Sequence, residues 1–135
     1  MEKEKTCKIV FSDIDGTLLT SDGQITEGTK EMILNLEKKG IPFILTSARS
    51  PEGVRVIKRM LGNHAPIIAF CGGLILDDDG NEIYSKMIPL KRALELKAML
   101  DKDFPAVACN TFGGEKWIVD DRDDCLLYTS PSPRD

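Results

Sequence analysis

The stretch that most constrains this chain is Lys8 to Thr20, KIVFSDIDGTLLT. Apolar Ile9, Val10 and Phe11 lead into two carboxylates, Asp13 and Asp15, and the run breaks at Gly16-Thr17. β-Branched and aromatic residues favour a strand, so residues 7–12 are expected to form a buried one. Strand alternation puts positions i and i+2 on one side, which would start Asp13 and Asp15 close together. Two neighbouring carboxylates repel and desolvate badly unless something positive or a proton sits with them. A metal ion would resolve that, and so would one acid kept protonated for proton transfer. The stretch points to chemistry at a strand end rather than to packing.

The chain then repeats strand and helix. Thr26 is a good N-cap with Glu27 in the first turn, and Met32, Ile33 and Leu36 keep helical spacing up to about Lys39, where Gly40 supplies the stop. Ile41 to Thr46 reads as a second strand buried on both faces. Pro51 opens a second helix at its permitted first-turn position, and Gly62-Asn63 ends it. Pro66 to Phe70 is a third short strand. Continuous apolar strands alternating with helices imply a parallel sheet covered on both faces and wound right-handed. In such sheets the site lies beyond the carboxyl ends of the strands. Asp13/Asp15, Ser47/Arg49 and Cys71/Gly72/Gly73 all fall just after strand ends, so three strands are expected to deliver them to one edge.

The pattern changes after residue 73. Leu74–Leu76 and Glu82–Ile88 flank Asp77-Asp78-Asp79-Gly80-Asn81, a hairpin with a solvated acidic turn that lacks the later ligands of a calcium loop. A helix is expected from Pro89, with Leu90, Ala93, Leu94, Leu96, Ala98 and Leu100 apolar. Two strands, Val107–Phe112 and Trp117–Val119, follow around Gly113-Gly114. The expected organisation is 1–83 as half of an α/β core, 84–124 as the start of an α+β module, and 125–135 as a tail. That tail, CLLYTSPSPRD, matches residue for residue a translation of the tagmentation adapter used in DNA library preparation, so it is read as non-native.

Composition limits the partners. With 41% hydrophobic and 30% charged residues the chain can build a core, and a net charge of −4 without a basic run argues against nucleic acid. No apolar run approaches the ~18 residues of a membrane span. The charged start MEKEKTCK shows no signal peptide. Four scattered cysteines form neither a disulfide framework nor a metal site, which suits a cytoplasmic protein. Nothing in the sequence sets an oligomeric state.

Asp13-Ile14-Asp15-Gly16-Thr17-Leu18-Leu19, with Ser47 after the second strand, resembles the haloacid dehalogenase-like phosphohydrolases. Leu45-Thr46-Ser47-Ala48-Arg49 is similar to the second family motif, although Ala48 stands where glycine is usual. Cys71 stands where the Cof-type branch usually has asparagine. The resemblance covers residues 7–124 and implies a Rossmann-like core, incomplete here, with an inserted α+β cap, also incomplete. It implies Asp13 as nucleophile through an aspartyl-phosphate and Asp15 as acid/base. Mg2+ would be held by Asp13 and Asp15, and Ser47 would bind the phosphoryl group with backbone N–H groups of Ile14, Gly16 and Thr17. Arg49 and Gly72 are weaker substrate-contact candidates; Arg49 either faces substrate or pairs with a surface acid, and Ser47 is alternatively a helix cap. The implied substrate is a small phosphorylated metabolite such as a sugar phosphate. The family's phosphoryl-binding lysine and later acidic motif are absent from these residues, so this chain alone is expected to show little activity, and an exposed sheet edge is expected. A phosphomutase and a catalytically dead binding module remain the alternatives. A receiver domain is disfavoured, because its phospho-acceptor follows the third strand, where this chain has Cys71.

Overall fold

The computed structural model describes residues 8–113 and 116–119. The chain divides into two compact units, Met1–Met87 and Ile88–Asp135.

The first unit is built on a five-stranded sheet in the order β1-β2-β3-β4-β5. Strands β1 (Val10–Asp13), β2 (Phe43–Thr46) and β3 (Ile67–Ala69) run parallel, joined by helices α1 (Glu27–Lys38) and α2 (Pro51–Leu61). Strands β4 (Leu74–Leu76) and β5 (Glu82–Ser85) continue the same sheet antiparallel. The βαβαβ run expected from the sequence is present, and so is the hairpin, although its second strand ends at Ser85 rather than Ile88.

Local chemistry explains the element ends. The Thr26 hydroxyl accepts the Thr29 N–H at 3.2 Å and so caps α1. Ser50 caps α2 by accepting from Gly53 N–H at 3.3 Å, with Pro51 following. Gly62, at φ +77°, closes α2 in the left-handed region that glycine enters without steric cost. The core joins Ile33 of α1, Leu45 of β2, Val54, Ile57 and Leu61 of α2, Ile67 and Ala69 of β3, and Leu74 and Leu76 of β4.

Three expectations need correction here. The first strand starts at Val10 and runs to Asp13, and Cys7 lies outside the described residues. It is not buried on both faces: its residues alternate half-buried and exposed, and Phe11 is exposed. The reason is position, because β1 is an outer strand that pairs only with β2 among the described residues. Asp15 is not on the strand at all. The chain coils through a wide turn, Ile14–Leu18, so strand alternation does not set its position.

The second unit contains α3 (Leu90–Asp103) and a two-stranded antiparallel sheet of β6 (Thr111–Gly113) and β7 (Lys116–Ile118). The sixth strand is shorter than expected, because Val107 N–H instead donates to the Phe104 carbonyl and turns the chain after α3. The apolar positions of α3 are helically spaced, yet no residue of the helix is buried, and Leu90 and Leu94 are exposed. Trp117 packs on Phe112, with ring centroids 5.8 Å apart and 12° between planes. Residues 120–135, including the adapter-like tail, lie outside the described residues.

Candidate active site

The site is built around Ile14. This side chain is fully buried (0% exposed), while Asp13 and Asp15 on either side of it are exposed. Apolar burial of Ile14 therefore pins the backbone from which both acids project. Gly16, at φ +75°, lets the turn reverse immediately afterwards, and Leu18 returns to the core. The Asp13 carboxylate accepts the Ile14 N–H at 2.8 Å through Oδ1. That N–H, expected to serve a phosphate, is engaged with Asp13 here. Thr17 is exposed and makes no side-chain hydrogen bond among the described residues.

The ends of β2 and β3 meet this turn. Asp13 is paired in register with Thr46, one residue before Ser47. Ser47 is buried, and its Oγ accepts the Arg49 N–H at 3.2 Å. It does not cap α2, since Ser50 does that. The main chain after β3 is tied to the loop after β2: Phe70 N–H donates to the Arg49 carbonyl and Cys71 N–H to the Ser47 carbonyl, both at 3.0 Å. These bonds hold Phe70 (φ +50°) and Cys71 (φ +54°) in the left-handed region, which is costly for residues with a side chain. Gly72 follows at φ +92°. Nothing in the residue types of Phe70 and Cys71 signals this conformation; the Gly72-Gly73 pair signals only a turn.

Arg49 supplies the counter-charge. Its Nε donates to Asp15 Oδ2 at 2.9 Å and its Nη2 to Asp15 Oδ1 at 2.6 Å, a two-pronged pair. Hydrogen bonding from Arg49 holds the Asp15 carboxyl below the usual carboxylate range and raises Arg49 in turn. Arg49 thus pairs with an exposed acid, as one of its two expected roles had it, and that acid is Asp15 of the site itself. Arg49 is the side-chain partner of Asp15, and Ser47 Oγ is tied to the Arg49 backbone.

Asp13 and Asp15 offer hard oxygen donors of the kind magnesium takes, one or two carboxylates with the rest from water and substrate. Among the described residues no group of three or more His, Cys, Asp or Glu could hold a metal ion. Asp13 and Asp15 therefore supply at most part of a magnesium donor set, and the Asp15 carboxylate is engaged with Arg49.

A cleft of about 490 Å3 lies elsewhere, between the end of α2 and the β4–β5 turn. The acidic turn there is not simply solvated. Asp78 pairs with Lys58 and lies 3.2 Å from His64 Nδ1, while Asp77 accepts the Asn81 N–H at 2.7 Å. His64 itself is exposed.

The sequence profile of the haloacid dehalogenase-like hydrolases matches residues 10–131. This chain belongs to that family. A Haemophilus influenzae protein named "Putative phosphatase" is 36% identical over 133 residues, covering 92% of this chain and 50% of that protein. A Geobacillus kaustophilus protein of known structure is 25% identical with a TM-score of 0.73, covering 84% of this chain and 43% of that one. A haloacid dehalogenase-like hydrolase from Bacillus subtilis is 25% identical with a TM-score of 0.71, covering 82% and 38%. The chain thus spans about half the length of the curated relatives it matches. No helix among the described residues is long and apolar enough to cross a membrane.

Proposed function

We propose that this chain carries the nucleophile-bearing half of a magnesium-dependent phosphomonoester hydrolase acting on small phosphorylated metabolites. One observation carries the reading: two exposed carboxylates flank a fully buried Ile14 at the carboxyl end of a parallel strand, beside Ser47 and Arg49 from the next strand end. Family membership and the phosphatase name of the Haemophilus relative support it.

Asp13 uses Oδ1 on its neighbour's N–H, which leaves Oδ2 to attack phosphorus. The P–O ester bond breaks as the P–O bond to Asp13 forms, and the leaving alcohol takes its proton from Asp15, which donates once it has been protonated and has released Arg49. Asp15 then accepts a proton from water, whose oxygen attacks the aspartyl-phosphate and frees inorganic phosphate. Ser47 Oγ accepts one hydrogen bond from Arg49 and keeps its own proton for a phosphoryl oxygen. Magnesium held by the Asp13 carboxylate and the Asp15 carbonyl would screen the repulsion between Asp13 and the phosphoryl group.

The test is p-nitrophenyl phosphate hydrolysis with magnesium, in a protein extended past Asp124 to the length of its relatives. Asp13→Asn is expected to lower turnover by about a thousandfold or more, and Asp15→Asn by about a hundredfold or more. The 135-residue chain alone is expected to turn over far more slowly. Undiminished turnover in Asp13→Asn would sink the reading, and phosphoryl transfer to a second hydroxyl in place of phosphate release would favour a mutase.

A further inference from the structure

The Asp15–Arg49 pair does not exhaust the guanidinium. Arg49 spends its Nε–H and one Nη2–H on Asp15, and its remaining N–H groups, on Nη1 and Nη2, have no acceptor among the described residues. The side chain is 37% exposed, so those donors reach solvent at the strand-end edge. Asp15 therefore acts as a bracket that fixes the plane of the guanidinium.

A second feature fixes the path of the Arg49 stem. Gly53 stands inside α2, where glycine is the poorest helix former apart from proline, and its backbone is not left-handed. A Cβ at Gly53 would lie 3.2 Å from Arg49 Cβ, 3.5 Å from Ser50 Oγ and 3.6 Å from Arg49 Cδ. Glycine is thus explained by room and not by φ: it lets the arginine stem lie against the first turn of α2 on its way to Asp15. The main chain of Arg49 is held at both ends, its N–H by Ser47 Oγ and its carbonyl by Phe70 N–H. A long, flexible side chain is so restrained before any ligand arrives, which lowers the entropy lost on binding.

We propose that Arg49, aimed by Asp15 and given room by Gly53, is a phosphoryl-contacting residue of this site. Its free N–H groups take oxygen atoms of a tetrahedral phosphate in the state in which Asp15 is ionised and holds the other edge of the guanidinium. Guanidinium donors suit that ligand because they present parallel N–H groups to paired oxygens. The proposal rests on the functional reading above and adds a contact to it.

The test is titration of the full 135-residue chain with inorganic phosphate, followed by calorimetry and through the side-chain Nε–H resonance of Arg49. Phosphate is expected to shift that resonance in the wild-type chain. Arg49→Ala is expected to weaken binding by about tenfold or more, with Arg49→Lys recovering only part. Gly53→Ala is expected to weaken binding as well, although alanine suits a helix better. Arg59→Ala removes an arginine paired with Glu52 on the same helix and is expected to leave binding unchanged. The proposal is overturned by a wild-type chain that does not bind phosphate, by an Arg49 resonance that phosphate does not move, by unchanged affinity in Arg49→Ala, or by an equal loss in Arg59→Ala. The wild-type resonance decides the matter even if Arg49→Ala does not fold. Ester hydrolysis without Arg49-dependent phosphate binding sinks this contact and spares the hydrolase reading. Arg49-dependent binding with hydrolysis indifferent to Asp13 does the reverse.

Discussion

Ile14 is the residue on which the site depends, because its burial decides where its two neighbours point. A fully enclosed isoleucine between two exposed acids makes catalytic geometry a consequence of core packing. Ile14→Val removes one methylene from that anchor and is expected to lower stability by about 1 kcal/mol, measured by urea unfolding. An unchanged midpoint would mean that the turn is held by something other than this side chain. At this scale the sequence made the acids legible, since two carboxylates at the end of an apolar run have few structural uses. It did not make their surroundings legible. The partner of Asp15 lies 34 residues away at Arg49, and no local pattern ties the two positions together.

Helix ends were the most readable elements, because their chemistry is local. Thr26, Gly40, Pro51 and Gly62 all sit where capping and stop rules place them. The serines around β2 show where such rules stop. Both Ser47 and Ser50 precede Pro51, and either could be read as a cap. Ser50 caps α2, while Ser47 Oγ accepts the Arg49 N–H at the strand end. Ser50→Ala is accordingly expected to cost about 1 kcal/mol in thermal or urea unfolding. A loss of that size in Ser47→Ala with none in Ser50→Ala would reverse the assignment. Elements whose state depends on neighbours were less readable. The extent of β1 depends on its outer place in the sheet, and the exposure of α3 depends on what surrounds it, and neither is written in residue spacing.

Across the whole molecule, paired carboxylates set the response to acid. Asp15, Glu52 and Asp78 are each held below their ordinary values, 3.8 for the aspartates and 4.5 for Glu52, chiefly by hydrogen bonds from Arg49, Arg59 and Lys58 respectively. Folding lowers these values, so the pairs stabilise fully above the unfolded-state values and lose that contribution as pH falls through the lowered folded ones. All three acids are largely solvent-exposed, and each pair is expected to contribute no more than about 0.5 kcal/mol after screening. Asp78→Asn is expected to remove part of the acid-side fall in stability, read from urea midpoints between neutral pH and about pH 3. An unaltered pH profile would show that the Lys58–Asp78 pair contributes nothing measurable. The α/β class of the first unit followed from strand and helix alternation, as did the convergence of three strand ends. The additional grip between those ends, through Arg49 and the left-handed Phe70-Cys71 step, is tertiary and emerges only from the folded chain.

The central claim is that Asp13 takes the phosphoryl group. It is tested most directly by rapid acid quench of the protein, extended past Asp124, with a radiolabelled phosphomonoester and magnesium, followed by peptide mapping. Label on the peptide containing Asp13, absent in Asp13→Asn, is the expected result. Label on another peptide, or full turnover by Asp13→Asn, would contradict it.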